Sequence, residues 1–235
     1  MRTEDYRKHI TAEMLMGPNS LRILEELLAK FPISLTPDRQ VLDLGCGKGL
    51  TSLAIARETG SKVYATDLWI SAEDNAKRFS EWGVENQIIP VHADANALHF
   101  DKGQFDALVS IDAYHYFATP KGFFEQKILP FLSDNAQVLI GIPGIKDQFT
   151  GRSEQLLSAW LGDEAYMFQS PSAWRAIIGH NDRIEAIETW EMDCFDTAWS
   201  EWFATEHKYA SGDKQFFDAL IKPYTCFVGI YVKIK

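Results

Sequence analysis

The stretch VLDLGCGKGLTSLAIA, residues 41–56, contains an apolar run, three closely spaced glycines and then apolar residues at helical spacing. The apolar run predicts a short buried strand, and the residues after the glycines predict a helix. Gly45, Gly47 and Gly49 therefore lie where a strand turns into a helix. At this corner of a parallel sheet the backbone N–H groups and the helix dipole attract ligands, and residues without a Cβ let a ligand approach the main chain. The stretch thus predicts a small-molecule site.

The next predicted strand, KVYATD, ends in an acidic residue. Asp67 follows Gly49 by 18 residues (67 − 49), close to the roughly 20-residue offset at which a carboxylate holds the hydroxyl groups of a ribose. Two features disfavour an ordinary dinucleotide site. Leu50 occupies the place of the last glycine or alanine of that fingerprint, and Asp43 would bring negative charge close to a pyrophosphate. A cationic ligand fits these acids better, although turn formation or loop orientation is an alternative role for them.

Strands and helices alternate through the first 145 residues, which predicts a parallel sheet with helices on both faces. The predicted strands are 41–45, 62–67, 87–94, 105–112, 137–144, 183–193 and 225–235. The predicted helices are 19–31, 50–60, 71–83, 119–132, 153–168, 170–179, 197–210 and 213–222. The last strand follows its neighbour without a βαβ rhythm, so we expect it to be antiparallel. The fold class predicted is α/β, Rossmann-like, with a seven-stranded, mostly parallel sheet.

The sequence VLDLGCGKG resembles motif I of the class I S-adenosylmethionine-dependent methyltransferases, and VYATD resembles the acidic strand that follows it. HAD at 92–94 is similar to the third cofactor element of that family, and FDALVSIDAYHYF at 105–117 resembles its fourth strand. Residues from about 38 to 145 follow the order of the family. The resemblance implies that S-adenosylmethionine is the cofactor and that the chain is a methyltransferase of the small-molecule type.

Carried over position by position, the resemblance implies a set of cofactor contacts. It assigns Asp43 and the Gly45 backbone to the methionine amino end and Asp67 to the ribose. Asp94, with the main chain of Ala95, is assigned to the adenine amino group, and Leu68 to one face of the ring. The full expected set is Asp43, Gly45, Cys46, Gly47, Gly49, Asp67, Leu68, Asp94, Ala95 and Asp112.

The end of the fourth predicted strand supplies the candidate catalytic residues, His115 and Asp112. Imidazole titrates near neutrality, so His115 could take a proton from the acceptor, although a polar residue at a helix start is the alternative. Asp112 could contact the methionine moiety or a cationic substrate. Tyr116, Trp199 and Trp202 are candidate substrate contacts because aromatic rings surround methylammonium groups or clamp planar molecules. Filling the core of a helical cap is the alternative for the tryptophans.

The length of 235 residues and the lack of a linker or an internal repeat predict one domain over residues 1–235, and the resemblance implies that it is a methyltransferase domain. We expect a helical lid or flank at 1–35, the cofactor-binding core at 36–145, a substrate-side cap at 146–224 and the last strand at 225–235. The expected reaction is in-line transfer of a methyl group to nitrogen or oxygen of a small molecule. A non-catalytic module that binds S-adenosylmethionine or S-adenosylhomocysteine is an alternative, and an NAD(P)-dependent oxidoreductase is a weaker one.

Composition limits the partners. The 23 Lys and Arg residues face 33 Asp and Glu residues, and a net charge of −10 disfavours nucleic acid and anionic membranes. The three cysteines are too few and too scattered for a disulfide framework, which favours a reducing, cytoplasmic location. No apolar stretch approaches the ~18 residues of a membrane span, and no His or Cys spacing indicates a metal site. Aromatic residues in the last third could form a homodimer contact.

Overall fold

The computed structural model describes residues 1–33 and 36–235 of the chain. The strands are β1 (Gln40–Leu44), β2 (Lys62–Asp67), β3 (Ile88–His92), β4 (Phe105–Ile111), β5 (Leu132–Ile145), β6 (Ile184–Glu191) and β7 (Thr225–Ile234). The helices are α1 (Ser20–Lys30), α2 (Leu50–Thr59), α3 (Ala72–Glu81), α4 (Ser153–Leu161), α5 (Pro171–Ile178), α6 (Phe195–Phe203), α7 (Lys208–Phe216) and the single turn α8 (Lys222–Tyr224). Short 3₁₀ turns cover Thr3–His9, Ala95–Ala97, Tyr114–Tyr116, Leu129–Phe131, Asp147–Phe149 and Gly162–Met167, and π turns cover Phe124–Ile128 and Phe217–Ile221.

The seven strands form one sheet in the order β3-β2-β1-β4-β5-β7-β6. The pairs from β3 to β5 are parallel, whereas β7 runs antiparallel to both β5 and β6. The predicted mostly parallel sheet with an antiparallel last strand is therefore confirmed. The chain order reverses between β1 and β4, and at such a switch point the carboxyl ends of the strands leave a crevice for ligands.

Successive residues of the central strands point to opposite faces of the sheet, and both faces are buried. Val41 and Val109 belong to the core cluster that packs under α1, α2 and α6, whereas Leu42 and Leu108 belong to the cluster that packs under α5. Because central parallel strands are covered on both sides, their sequences are nearly continuous apolar runs. This is why VLDL does not alternate between apolar and polar residues. Helices on both faces, as predicted, fix the positions of the strand ends.

The helix predicted at 119–132 is wrong in extent. The segment instead forms a π turn at Phe124–Ile128 and a 3₁₀ turn at Leu129–Phe131. Gly122 has a left-handed φ of +84°, which a regular helix does not contain, and Pro130 cannot donate a backbone hydrogen bond. β5 begins directly afterwards at Leu132, earlier than predicted.

Two groups of residues cover the carboxyl ends of the strands. On one side, α4 and the turn Gly162–Met167 form a small cluster of their own around Leu157, Ala165 and Phe168. On the other side, the segment before α1 is attached to α6, because Asn19 donates from its backbone N–H to the Ala198 carbonyl at 3.1 Å. The predicted flank at 1–35 ends on residues 34 and 35, which lie outside the described ranges.

Candidate active site

The three glycines of the β1–α2 turn all have left-handed φ values, +76° at Gly45, +53° at Gly47 and +83° at Gly49. A side chain at the first of them would also clash, because a Cβ on Gly45 would lie 2.2 Å from the Cβ of Ala113. The turn therefore needs glycine both for its backbone conformation and for the close approach of the loop after β4. This close approach brings the ends of β1 and β4 to one crevice.

A cavity of about 390 Å³ opens at this crevice. That volume is within the ~300–1,000 Å³ range of small-molecule sites. Its walls include the glycine turn, the ends of β2, β3 and β4, and the segment before α1. Of the expected cofactor residues, those that line it are Gly45, Cys46, Gly47, Asp67, Leu68, Asp94, Ala95 and Asp112. Eight of the ten expected cofactor residues therefore lie on one continuous surface, which we call the first cavity.

Asp67 connects the glycine turn to the loop after β2. Its Oδ2 accepts a hydrogen bond from the Gly47 N–H at 2.8 Å, and its Oδ1 accepts from the N–H groups of Trp69 and Ile70 at 2.8 and 2.9 Å. The residue is 8% exposed and lines the first cavity. These three N–H bonds use three of about four lone-pair positions and fix the orientation of the carboxylate.

The loop that follows places apolar and aromatic side chains at the cavity mouth. Leu68 is 51% exposed, and its carbonyl lies 2.8 Å from Nε2 of His92 at the end of β3. Trp69 is 65% exposed and packs edge-on against Tyr116, with 5.1 Å between the ring centroids. Both rings line the first cavity. Trp69 is missing from the sequence prediction, although its position directly after the acidic strand could have indicated it.

Asp94 lies at the end of β3, on the same wall of the first cavity. Its Oδ1 accepts from the backbone N–H of Asn96 at 2.8 Å and from the Asn96 side-chain amide at 3.0 Å. These hydrogen bonds hold the pKa of the Asp94 carboxyl below its usual value. The carboxylate is exposed, stays ionised and is an acceptor for a ligand amino group, with Ala95 buried beside it.

Asp43 lies beneath the first cavity and is not part of its lining. Its carboxylate is completely buried, and Oδ2 accepts from the hydroxyls of Thr51 and Ser52 at 2.7 and 2.6 Å. Burial raises the pKa of Asp43 to about 6, against the opposing effect of the two hydroxyls. Asp43 thus anchors β1 to the first turn of α2, and its contact with a ligand stays a prediction. Gly49 also lies outside the lining, where a Cβ would meet the Phe79 ring at 2.4 Å.

The segment before α1 lies over the glycine turn. The Lys48 ammonium donates a hydrogen bond to the carbonyl of Glu13. Met16 packs so closely against Gly47 that a Cβ added to Gly47 would lie 3.2 Å from the Met16 Sδ. Gly17 lies so close to Asp112 that its own added Cβ would be 2.9 Å from Oδ2. The segment therefore forms one wall of the first cavity, where the sequence predicts a lid.

A second cavity, of about 200 Å³, adjoins the first. Five residues line both: Met16, Gly17, Pro18, Asp112 and Tyr116. Its other walls come from the loop after β4, from β5, from α4 and the segment after it, and from α6 and α7. The residues are His115, Pro143, Trp160, Leu161, Glu164, Met167, Phe168, Trp199 and Asp213. Molecules bound in the two cavities would therefore be neighbours, with Asp112 in the wall of both cavities.

Asp112 occupies a strained position between the two cavities. Its φ of +54° is left-handed, which is uncommon for a residue with a side chain and occurs preferentially at functional sites. Burial raises the pKa of its carboxyl to about 7, and the charge of Asp213 adds to the effect. Both candidate roles of Asp112, toward the methionine end and toward a cationic substrate, are compatible with this location.

His115 lines the second cavity and is 2% exposed. Burial lowers the pKa of its imidazole to about 3, so the ring is neutral at physiological pH. The prediction assumed that His115 titrates near neutrality, and this assumption is wrong because the fold removes the ring from water. Its Nδ1 has no hydrogen-bond partner among the described residues, and its ring packs against Tyr116 with 4.1 Å between centroids.

The two tryptophans predicted to contact substrate have different locations. Trp199 lines the second cavity, and its Nε1 has no partner in the described part of the chain. Trp202 lines neither cavity and is 1% exposed, with its Nε1 donating to Asp213 at 3.1 Å. Trp202 therefore lies outside the lining of both cavities and positions Asp213 through this hydrogen bond. Asp213, Trp160 and Glu164 were not predicted, because no local pattern distinguishes them from surface residues of helices.

Comparison with known proteins agrees with this geometry. The strand order, the reversed last strand and the glycine turn at the switch point define a class I methyltransferase fold. Residues 41–127 match a family model described as a methyltransferase domain. Over that part of the chain the protein is similar to the methyltransferase domain family.

Solved structures share the fold at low sequence identity. A candidate sarcosine dimethylglycine methyltransferase from Galdieria sulphuraria is 16% identical, with a TM-score of 0.74 over 91% of this chain and 85% of that one. Geranyl diphosphate C-methyltransferase from Streptomyces coelicolor A3(2) is 16% identical, with a TM-score of 0.70 over 91% and 77%. Phosphoethanolamine N-methyltransferase 2 from Haemonchus contortus is 17% identical, with a TM-score of 0.67 over 100% of this chain and 60% of that one.

Two further findings concern the described residues. None of the helices in the ranges 1–33 and 36–235 combines the length and the apolar character needed to cross a bilayer. Within the same ranges, no three His, Cys, Asp or Glu side chains are grouped in a way that could hold a metal ion.

Proposed function

We propose that the protein transfers the methyl group of S-adenosylmethionine to a nitrogen or oxygen atom of a small molecule held in the second cavity. The observation that carries this proposal is the junction of the two cavities at Gly17, Asp112 and Tyr116. Methyl transfer from a sulfonium is an in-line displacement, which needs the acceptor atom about 3–3.5 Å from the methyl carbon. Two adjoining cavities with a shared wall favour such an approach.

The residues of the first cavity fit the cofactor. The glycine turn offers bare backbone, Asp67 offers a fixed carboxylate for ribose hydroxyls, and Asp94 with the main chain of Ala95 offers acceptor and donor groups for adenine. Asp112 would face the cationic methionine end. When bound there, S-adenosylmethionine supplies an electrophilic methyl group. The chain's own contribution is to orient the ligands and to exclude water under the segment before α1.

The size of the second cavity favours a metabolite as the acceptor. A volume of about 200 Å³ equals the share of roughly seven water molecules in the liquid. The similar structures carry names with small acceptors, geranyl diphosphate and phosphoethanolamine among them, which supports a small acceptor here. A cytoplasmic location, a homodimer and the absence of nucleic-acid partners stay predictions from the sequence.

The test is transfer of label from S-adenosylmethionine with a deuterated methyl group to the components of a metabolite extract, followed by mass spectrometry. We expect one or a few small molecules to gain the labelled methyl group, and Asp67→Asn to reduce the yield. Asp101→Asn, which removes the same charge from an exposed turn, is the matched control. Cofactor binding with no labelled product would favour the non-catalytic module instead.

A further inference from the structure

We propose that the second cavity binds its acceptor as an ammonium ion, so that nitrogen is the atom methylated. This inference rests on the proposed function and goes beyond it by choosing the chemical class of the acceptor. It follows from the charge of the cavity walls, from their aromatic rings and from the location of Asp112.

The charged residues of the second cavity are all acidic. Asp112, Glu164 and Asp213 contribute carboxylates, and of the described residues that line the cavity none is a lysine or an arginine. Asp213 is held in place by indole N–H groups, from Trp160 to Oδ1 at 3.4 Å and from Trp202 to Oδ2 at 3.1 Å. Such walls repel carboxylate or phosphate acceptors and attract a cation.

Aromatic rings line the same cavity beside the carboxylates. Trp160 packs edge-on against Phe168 and against Trp199, with centroid distances of 5.6 and 6.3 Å. Rings that share a cavity with carboxylates bind alkylammonium groups through cation–π attraction, and the attraction persists when methyl groups are added to the nitrogen. The cavity walls therefore fit both the amine and its methylated product.

Buried polar side chains give independent support for a ligand. His115 and Trp199 line the second cavity, are 2% and 4% exposed, and have Nδ1 and Nε1 atoms without partners among the described residues. Leaving such buried groups unpaired is unfavourable, so a ligand that pairs with them would be stabilised. A neutral imidazole nitrogen can accept a hydrogen bond from an ammonium, so His115 is a positioning group for the acceptor.

Asp112 is suited to remove the proton that blocks the nitrogen lone pair. No donor among the described residues reaches its carboxylate, and it faces both cavities. The bound ammonium would pass one N–H proton to this carboxylate, which leaves a neutral amine. The nitrogen lone pair then forms the N–C bond, the C–S bond breaks with its electron pair going to sulfur, and the products are a methylated ammonium and a neutral thioether.

The burial that raises the pKa of Asp112 to about 7 makes its carboxylate a stronger proton acceptor than an ordinary aspartate. Asp213 repels the same carboxylate, and a cation placed between the two would relieve that repulsion.

The experiment compares molecules of one skeleton that differ in charge. Calorimetry on protein saturated with S-adenosylhomocysteine would measure 2-phenylethylamine, 2-phenylethanol and 3-phenylpropanoate, with n-butylamine, n-butanol and butanoate as a smaller series. We expect each amine to bind at least about tenfold more tightly than its alcohol, which corresponds to ~1.4 kcal/mol, and the carboxylates to bind most weakly.

Asp213→Asn and Asp112→Asn should each reduce the preference for the amine about tenfold, since they remove a charge with little change of shape. Asp218→Asn, an exposed acid one turn beyond Asp213 that lines neither cavity, should keep it. Equal or tighter binding of an alcohol or a carboxylate, a preference unchanged in both variants, or no amine binding at millimolar concentration would overturn the inference.

Failure of the proposed function has a different signature. In that case no compound of either series acquires a deuterated methyl group, even if the amines bind. Transfer of the label to an alcohol or a carboxylate would keep the proposed function and overturn the ammonium inference.

Discussion

The close approach of the glycine turn to the loop after β4 predicts a large and specific effect of Gly45→Ala. The new residue must adopt a φ near +76°, which costs an L-residue ~1–2 kcal/mol. Its Cβ would also be 2.2 Å from the Cβ of Ala113, and overpacking of this kind costs typically ~1–3 kcal/mol more. We therefore expect the free energy of unfolding to fall by about 2–5 kcal/mol.

Gly83→Ala is the matched control. Its φ of +67° requires the same backbone conformation, but a Cβ there has no neighbour within 4 Å. This variant should lose only the conformational part, about 1–2 kcal/mol. For a chain of 235 residues each kcal/mol corresponds to a shift of ~2–4 °C in Tm.

The assay is urea unfolding of both variants, together with calorimetry of S-adenosylhomocysteine binding. Gly45→Ala should also weaken binding, because Ala113 is joined to Asp112 in the cavity wall, whereas Gly83→Ala should leave it unchanged. Equal destabilisation of the two variants, or unchanged cofactor affinity in Gly45→Ala, would refute the view that this contact sets the geometry of the site.

Three further predictions concern ionisable residues of the site. Asp67→Asn should weaken S-adenosylhomocysteine binding by roughly 10- to 150-fold, since a hydrogen bond to a charged group is worth ~1.5–3 kcal/mol, and unchanged calorimetric affinity would contradict the ribose role. The imidazole signals of His115 should show no titration between pH 5 and 8 by NMR, because burial lowers its pKa to about 3; a midpoint near 6.5 would show an open site. Because burial raises the folded-state pKa of Asp43 to about 6 from 3.8, its contribution to stability is fully present below pH 3.8 and is lost as the pH rises through 6. In urea unfolding at pH 4 and pH 7, Asp43→Asn should reduce the pH dependence of the free energy of unfolding by up to ~3 kcal/mol. Identical pH profiles for the variant and the unmodified protein would exclude a shifted pKa of Asp43.

The wall of the first cavity at the strand ends could largely be predicted from the sequence. That wall follows the ends of strands β1 to β4, where local patterns identify glycines and acids such as Gly45, Asp67 and Asp94. The lining also includes Trp69 and the segment before α1, which are not among the expected cofactor residues. Asp43 was placed correctly along the chain, but its burial beneath the turn depends on the helix that covers it.

The second cavity could not be predicted in the same way. Trp160, Trp199 and Asp213 come from three different helices, α4, α6 and α7. Helical periodicity alone does not distinguish a cavity wall from core or surface. His115 was identified by residue type, yet its protonation was misjudged because desolvation is a property of the packed fold.

The sequence by itself determined the order of strands and helices, the glycine turn and the acids at the strand ends, because these depend on backbone conformation and periodicity within short segments. The tertiary structure alone decided which distant side chains enclose the second cavity and which carboxyls lose contact with water. Those properties arise from packing between elements, and the electrostatic free energy of a charge depends on all the atoms that surround it.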